Sequence, residues 1–187
     1  MKTNLLIAAF AVMVAAQLAV PAGMILDREA TLRQGAVYRF RTQPVDPYDP
    51  FRGRYVWLRL EPDSVPAAKG MGPDDNLMAY AVLGTDADGF ATVETLSDDR
   101  PEEGDYVRVH TYQYGAGDVY ITWPIDRYYM EERLAPEAER AHRADPAEAW
   151  AQVRVLRGKA VLEELYIDGE PAADYARAHL DGAVTAP

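Results

Sequence analysis

The chain has 187 residues, no cysteine and a formal net charge of −11 at pH 7. This acidic balance argues against nucleic acid and against anionic lipid surfaces as partners, because both need clustered Lys and Arg. Without cysteine the chain has no disulfide, no thiol nucleophile and no thiolate metal site.

The apolar segment at residues 4–26 is the first predicted element. It carries no charge, and as a helix it would be roughly 34 Å long, more than a hydrocarbon core of about 30 Å. We predict a signal-anchor transmembrane helix over residues 1–26 that contacts the lipid bilayer through residues 4–26. The alternative is a cleaved signal peptide that ends near Val14–Ala16, but the apolar run continues well beyond that site.

The charges that flank this segment predict its orientation. Lys2 precedes the apolar run and an acidic remainder follows it, so the positive-inside rule leaves the N-terminus in the cytoplasm. Residues 27–180 then form one exported domain, since no linker divides them. Residues 181–187 are predicted to be a disordered tail.

Period-two alternation of apolar and polar residues predicts strands through most of the exported domain. Asp88-Gly89 is a strong hairpin signal, and Leu156–Ala160 forms a second turn between the last two strands. This spacing indicates antiparallel hairpins rather than βαβ units. The predicted strands are residues 36–45, 54–61, 77–84, 90–96, 106–114, 118–125, 152–158 and 160–168.

Helical patterns occur in two short segments. In residues 135–150, Pro136 suits the first helical turn and Pro146 forces an end or a restart. A second short helix is predicted after Pro171. We therefore predict a β-rich α+β fold, in which the transmembrane helix is followed by one mainly antiparallel-sheet domain with one or two short helices.

The chain is stiffened just before the second predicted strand. Asp46-Pro47 and Asp49-Pro50 restrict the backbone to extended or turn geometry, and Gly53 can supply a positive φ. Such a corner fixes where the strand enters the sheet and in which register. Within that strand, Val56, Leu58 and Leu60 share one face, which we expect to pack into the core.

The stretch PVDPYDPFRGRYVWLRLE at residues 44–61 resembles the signature of the GDYXXLXY family of bacterial proteins, where Pro-x-Asp-Pro leads into Gly-Asp-Tyr-x-x-Leu-x-Tyr. Gly53, Tyr55 and Leu58 match the signature. Arg54 stands in place of its Asp, and Leu60 in place of its final Tyr. If that Asp had a catalytic or metal-binding role in relatives, Arg54 would remove it here.

The resemblance extends over most of the chain. The segment RYYMEERLAPEAERAHR, the later hairpin AQVRVLRGKAVLEELYIDG and the N-terminal apolar anchor are also similar to the family. Members are membrane-anchored proteins without an assigned biochemical activity, and some are found alongside multi-pass membrane proteins. The resemblance thus implies a bacterial inner-membrane protein with a periplasmic domain, and a multi-pass membrane protein as a partner.

The polar face of the second strand is a candidate binding surface. Tyr55, Trp57 and Arg59 could form an aromatic and cationic platform for a glycan or a peptide. The alternative is an ordinary half-buried sheet face, in which Arg59 lies over Trp57 or pairs with Glu61.

Two sets of carboxylates are weak acid/base candidates. Five carboxylates in residues 97–105 precede the strand that carries His110, and a carboxylate close to that imidazole could form an acid/base pair. The alternative is a solvated acidic loop. Glu131 and Glu132 are the second set, because paired carboxylates suit glycoside hydrolysis. Adjacent residues on a strand would, however, point to opposite faces.

No metal site or cofactor is predicted. Asp86 and Asp88 have the spacing of a calcium loop, but the third acidic position is missing and Ser97 stands at the twelfth. A plain hairpin turn is the better interpretation. The three histidines lack metal-ligand spacing.

The sequence therefore favours a single-pass membrane-anchored envelope protein whose exported domain is a non-enzymatic interaction module. The alternative is an envelope glycan-binding protein or hydrolase that uses carboxylates near His110 or the pair Glu131 and Glu132. A soluble secreted binding domain follows if the N-terminal segment is cleaved.

Overall fold

The computed structural model describes residues 2–44, 55–66, 77–113, 117–144 and 149–184. The predicted corner with Asp46, Asp49, Gly53 and Arg54 lies outside the described residues, so its role stays a prediction. The same holds for Pro146, at which the first short helix was predicted to end.

Most of the described domain is strand, and its elements follow the order α1 (Lys2–Gln34), β1 (Ala36–Pro44), β2 (Tyr55–Leu60), β3 (Ser64–Val65), β4 (Leu77–Thr85), β5 (Ala91–Ser97), β6 (Tyr106–Gln113), β7 (Val119–Thr122), β8 (Arg127–Tyr129), α2 (Ala135–Ala144), β9 (Ala149–Leu156), β10 (Lys159–Ile167), β11 (Glu170–Pro171) and α3 (Ala172–Val184). The β-rich α+β prediction is confirmed, and so are the eight predicted strands to within a few residues. The sequence missed the short strands β3, β8 and β11, which are too brief to show alternation.

The described strands form two antiparallel sheets. The first sheet has the order β11-β10-β9-β1-β2-β8, and the second has the order β3-β7-β6-β4-β5. Both predicted hairpins are present. Between β9 and β10, Arg157 and Gly158 have φ of 50° and 84°, the left-handed pair that a two-residue turn of matching twist needs.

One face of the first sheet provides both halves of the hydrophobic core. Phe40, Val153 and Val155 pack against the second sheet, together with Ala81 and Val109. Side chains at every second position of a strand share a face. The other end of this same face is covered by helices. There Val56, Leu58, Leu165 and Ile167 pack against Leu134 and Ala138 of α2 and its approach, and against Ala172 and Ala176 of α3.

Helix α1 continues beyond the apolar segment. Its stretch Ala9–Gln34 is long and apolar enough to cross a membrane, the most apolar 18-residue window within it is exposed, and it would equally fit a signal sequence. The predicted boundary at residue 26 lies inside this helix, and α1 contacts β9 and β10. Its last two turns are therefore part of the packed domain. At the other terminus, α3 continues through residue 184 into the predicted tail, and residues 185–187 lie outside the described residues.

The joint between α1 and the sheet depends on one glycine. Thr31 is only 1% exposed, and its Oγ1 donates to the Asp27 carbonyl oxygen at 3.0 Å. A Cβ on Gly35 would lie 2.5 Å from the Thr31 carbonyl oxygen and 3.1 Å from the backbone N of Val155. Only glycine therefore lets the helix end this close to β9.

Candidate functional site

The motif strand β2 buries the face that the sequence predicted. Val56, Leu58 and Leu60 are at most 4% exposed, so the prediction of an aliphatic core face is confirmed. The backbones of Tyr55 and Trp57 pair with β8, but the side chains of these two residues lie outside what the structure describes. The predicted platform of Tyr55, Trp57 and Arg59 accordingly stays a prediction.

An open cleft of ≈460 Å³ lies beside β2, where this strand approaches β7 and the end of β6. Two backbone hydrogen bonds hold its walls together. Leu58 N donates to the Asp126 carbonyl oxygen at 2.8 Å, and Ile121 N donates to the Asp63 carbonyl oxygen at 2.8 Å. The cleft is lined by Leu58, Arg59, Leu60, Asp63, Tyr112, Tyr120, Ile121, Thr122, Trp123, Ile125 and Asp126.

A pair of stacked tyrosines forms one side of the cleft. Tyr112 of β6 lies directly opposite Tyr120 of β7, and the ring centroids are 5.3 Å apart with planes 12° from parallel. The two side chains are 36% and 38% exposed. Partly exposed, mutually supported rings offer a large contact area at a low cost in conformational entropy, which is typical of binding surfaces.

The opposite part of the cleft is anchored in the core through Trp123. Its ring meets Phe40 edge to face at 5.1 Å, and its Nε1 donates to the Pro62 carbonyl oxygen at 3.0 Å. Since the indole N–H is satisfied within the protein, Trp123 is a fixed wall rather than a free donor.

The rim of the cleft carries an ion pair that differs from the predicted one. The sequence suggested that Arg59 lies over Trp57 or pairs with Glu61. In the structure, Arg59 Nε lies 4.0 Å from Asp63 Oδ2 and both side chains are largely exposed, whereas Glu61 accepts a hydrogen bond from the Gln43 amide. An exposed pair at this distance contributes little to stability, so Arg59 and Asp63 can exchange partners when a ligand binds.

The structure separates His110 from the acidic loop. His110 is exposed on β6, opposite Met78 and Thr122 of the neighbouring strands. Asp105 at the end of the loop instead accepts a hydrogen bond from the Tyr38 hydroxyl at 3.0 Å. Burial and this carboxylate raise the pKa of Tyr38 to about 12. Among the contacts of the described residues, none joins His110 to a carboxylate.

Glu131 and Glu132 lie in the turn between β8 and α2 rather than on a strand, and their acid/base role stays a prediction. The strand ends at Tyr129 because the chain must turn there to place α2 over the sheet. Arg133 Nε donates to Glu131 Oε1 at 2.8 Å. The Glu131 carbonyl oxygen also accepts from the backbone N–H groups of Leu134 at 2.9 Å and of Ala135, the first residue of α2, at 3.2 Å, so this residue leads into the helix.

The turn with Asp86 and Asp88 is the predicted hairpin, and Asp86 is fully engaged. Its Oδ1 accepts from the backbone N–H of Asp88 at 3.0 Å and of Phe90 at 2.8 Å, and its Oδ2 accepts from Arg41 Nη1 at 2.7 Å. The hydrogen bond from Arg41 lowers the pKa of Asp86. Within the described part of the chain, no group of three or more acidic or histidine side chains could hold a metal ion.

A buried histidine fixes α2 to the sheet behind the motif strand. His142 is 1% exposed, and its Nε2 lies 2.9 Å from Thr42 Oγ1. Burial lowers the pKa of His142 to about 4. The ring is therefore neutral at pH 7 and serves packing.

The sequence missed several residues of the cleft. Tyr112 lies in a predicted strand, but no sequence pattern singled out Asp63, Tyr120, Trp123 or Asp126 as a site residue. The alternation in DVYITWPI does assign Tyr120 and Trp123 to opposite faces. Only the register between β6 and β7, which the sequence does not determine, shows that Tyr120 meets Tyr112.

These features define a class of protein: a β-rich domain of two antiparallel sheets that follows an apolar helix able to span a membrane. The GDYXXLXY protein family matches residues 17–165, which include β2 and the cleft. The chain belongs to this family. A search of curated proteins and a search of solved structures each gave no match.

Proposed function

We propose that this protein is a single-pass membrane-anchored protein whose exported domain is a non-enzymatic interaction module at the bacterial envelope. The observation that carries the proposal is the cleft beside the motif strand. It joins a stacked tyrosine pair, a fixed tryptophan wall and a loosely paired Arg59 in one open recess. Such a recess offers recognition chemistry, and no histidine lies among its described lining residues.

The dispersal of the acid/base candidates supports a binding role over a hydrolytic one. His110 lies on the second sheet, whereas Glu131 and Glu132 lie in the turn that leads from the first sheet into α2. A general acid and a base must both reach one substrate bond. Groups that belong to different sheets, with no contact between them in the described residues, do not form such a pair.

The packing of α1 supports a retained anchor over a cleaved signal peptide. Cleavage near Ala16 would leave the second half of α1 attached to the domain, with an exposed apolar surface from Leu18 to Leu26. Exposed apolar surface of that extent is unfavourable in water and favourable in lipid. In this proposal Lys2 stays on the cytoplasmic side of the inner membrane and the acidic domain lies in the periplasm.

The proposed partner is a multi-pass membrane protein, the class that the family resemblance implies. The experiment is purification of the full chain from its native membrane in mild detergent, with mass spectrometry of the proteins that co-elute. The double variant Tyr112→Ala/Tyr120→Ala should lose the partner while staying folded. A stoichiometric partner that binds this variant and Trp57→Ala as tightly as the wild type would overturn the cleft and the platform as binding surfaces.

A second candidate is a glycan-binding module, favoured by the exposed tyrosine rings. Sugar rings pack against aromatic faces, and the Thr122 hydroxyl and the carboxylate of Asp126 are hydrogen-bonding groups on the same lining. Titration of the domain with soluble envelope glycans distinguishes the candidates. Saturable binding that the tyrosine double variant abolishes would favour the glycan, and its absence would favour the protein partner.

A further inference from the structure

A second recess lies at the base of α1, where the helix meets the β9–β10 hairpin and the start of β6. Its volume is ≈390 Å³, and Met24, Asp27, Arg28, Arg108 and Lys159 are among its lining residues. The three basic residues come from three distant parts of the sequence. We call this recess the basal pocket.

The basal pocket is locally basic in a protein of net charge −11. Lys159 Nζ lies 2.6 Å from Asp27 Oδ2, so one positive charge is balanced. Arg28 and Arg108 are exposed, and the described contacts give neither guanidinium a carboxylate partner. Two arginines without a counter-charge beside one recess are well suited to an anion, and guanidinium groups bind phosphate oxygens through paired hydrogen bonds.

The pocket is held rigid by backbone contacts. Arg108 N donates to the Gly158 carbonyl oxygen at 3.0 Å, which ties β6 to the hairpin turn. A Cβ on Gly158 would lie 2.8 Å from the Tyr106 ring, and a Cβ on Gly35 would lie 3.1 Å from the backbone N of Val155 in β9. The backbone segments that carry Arg28 and Arg108 are therefore held in place before any ligand arrives, which reduces the entropy cost of binding.

The position of the basal pocket relative to the lipid bilayer follows from the proposed membrane anchor, and this inference rests on that proposal. Met24 belongs to the apolar run, and Asp27 is the first charged residue after it. At 1.5 Å per residue, Arg28 lies about 6 Å beyond Met24 along the helix. A headgroup layer is roughly 5–7 Å thick on each side of the hydrocarbon core. The pocket is then at headgroup depth.

We propose that the basal pocket binds the phosphate of an anionic phospholipid headgroup. Arg28 and Arg108 donate hydrogen bonds to the phosphate oxygens, and Lys159 remains with Asp27 at the edge. Met24 and Val161 contact the apolar part of the same lipid. The overall acidic charge argued against anionic lipid as a partner, but clustering of basic side chains decides such binding, and only the fold brings these side chains together.

The test uses the full chain in nanodiscs made of equal parts phosphatidylcholine and phosphatidylglycerol. After transfer to detergent, native mass spectrometry counts the phosphatidylglycerol molecules that each chain retains. We expect wild type to retain phosphatidylglycerol and Arg28→Gln/Arg108→Gln to retain it at least about tenfold less, since both charged hydrogen-bond donors to the phosphate are lost.

A matched control removes the same charge elsewhere. Arg140→Gln/Arg177→Gln changes two arginines on α2 and α3, each of which has its own carboxylate partner on the same helix. Helix α3 follows the far end of β10, about 26 Å from Lys159 along the strand. Lipid retention by this control should equal wild type. Equal retention by both double variants would overturn the inference.

Two further arms separate the sources of failure. Inorganic phosphate added to chains in pure phosphatidylcholine nanodiscs should not protect the pocket from hydrogen exchange, and protection equal to that by phosphatidylglycerol would contradict a lipid site. Flotation with lipid vesicles tests the anchor itself. If the wild type floats with vesicles but retains no phosphatidylglycerol, this inference alone is contradicted. If the wild type does not float, both the anchor and the inference are contradicted.

Discussion

The cleft beside β2 and the basal pocket differ in charge and in how the chain builds them. The cleft rim has Arg59 against Asp63 and Asp126, which sums to −1, whereas the ionised side chains that line the basal pocket are Arg28, Arg108 and Lys159 against Asp27, which sums to +2. A single net charge conceals two surfaces of opposite sign. The charge of the residues that line each recess, rather than the net charge of the chain, therefore indicates which partner it can bind.

The two regions also differ in what holds them. Besides the two backbone hydrogen bonds between its walls, the cleft depends on side-chain packing, because the buried Leu58 and Leu60 also line it. The basal pocket depends on Gly35, where a Cβ would lie against backbone atoms, and on Gly158, where a Cβ would lie 2.8 Å from the Tyr106 ring. Damage to packing should thus affect the cleft first, and damage to a glycine should affect the pocket first.

The largest expected effect is that of Gly35→Ala. The new Cβ would lie 2.5 Å from the Thr31 carbonyl oxygen of α1 and 3.1 Å from the backbone N of Val155 in β9, so the junction between α1 and the sheet must shift. We expect the free energy of unfolding to fall by about 3 kcal/mol and phosphatidylglycerol retention to be lost. Thermal unfolding in detergent measures the first effect, and native mass spectrometry measures the second.

The control for this change is Gly23→Ala. A Cβ at Gly23 meets nothing within 4 Å, and alanine favours a helix over glycine. We expect stability at or slightly above wild type. A Gly35→Ala protein as stable as the Gly23→Ala protein would contradict the packed joint.

Leu58→Ala should damage the cleft and spare the basal pocket. Leu58 is 4% exposed, and its truncation should cost about 3 kcal/mol through lost burial and a residual cavity. Partner binding should weaken while phosphatidylglycerol retention stays. Leu58→Met keeps the volume and should cost less than about 1.5 kcal/mol. Denaturant unfolding gives both values, and equal losses for the two variants would show that Leu58 is not tightly packed.

Acid should loosen the side of the domain that holds the motif strand. The pKa of His142 is about 4 in the folded protein against an ordinary value of 6.5. Between these pH values the unfolded chain binds more protons, so the free energy of unfolding falls as pH decreases from 6.5 to 4. Over this range the free energy of unfolding falls by an amount on the order of 3 kcal/mol. Above pH 7, His142 adds no pH dependence to the free energy of unfolding.

The measurement is denaturant unfolding across this pH window, with hydrogen exchange to locate the change. In His142→Gln the free energy of unfolding should depend less steeply on pH. In wild type, amides of α2 should lose protection from hydrogen exchange before those of α1 and β9 as the pH falls. An unchanged slope in His142→Gln would assign the acid sensitivity to other groups.

The smallest effects on stability are expected at the cleft surface. Tyr112→Ala removes one ring of an exposed stack and should lower the free energy of unfolding by about 1 kcal/mol, while lowering partner affinity tenfold or more if the ring is a binding hot spot. Tyr175→Ala is a matched control, because it breaks another stacked pair, with His179 on α3. Equal partner binding by Tyr112→Ala and Tyr175→Ala would argue against the cleft.

The sequence predicts the fold here better than it predicts the sites. Alternation of period two is a local signal, so β1, β4 and β9 could be identified from their own residues. Asp88-Gly89 likewise determines its own hairpin. Strand order and register depend on contacts between distant segments, and no local pattern encodes them.

The sites depend on those distant contacts. Tyr112 and Tyr120 stack only because β6 pairs with β7 in one register, and Arg28 and Arg108 line one pocket only because α1 ends against the β9–β10 hairpin. The five carboxylates of residues 97–105 suggested an acid/base pair with His110 because they are close to it in sequence. In the structure, Asp105 instead accepts a hydrogen bond from Tyr38 of β1, a strand distant in sequence. The turn that carries Glu131 and Glu132 has no Gly or Asn to mark it, so no local pattern located it.

The most direct test of the proposed function is co-purification of the full chain and its Tyr112→Ala/Tyr120→Ala variant from native membranes in mild detergent. Mass spectrometry then reports the mature chain and the stoichiometry of each co-eluting protein. The account predicts an uncleaved chain with one stoichiometric multi-pass membrane protein, which the variant loses although it remains folded and membrane-bound. Recovery of a cleaved soluble chain, or of an intact chain that has no partner in wild type, would contradict it.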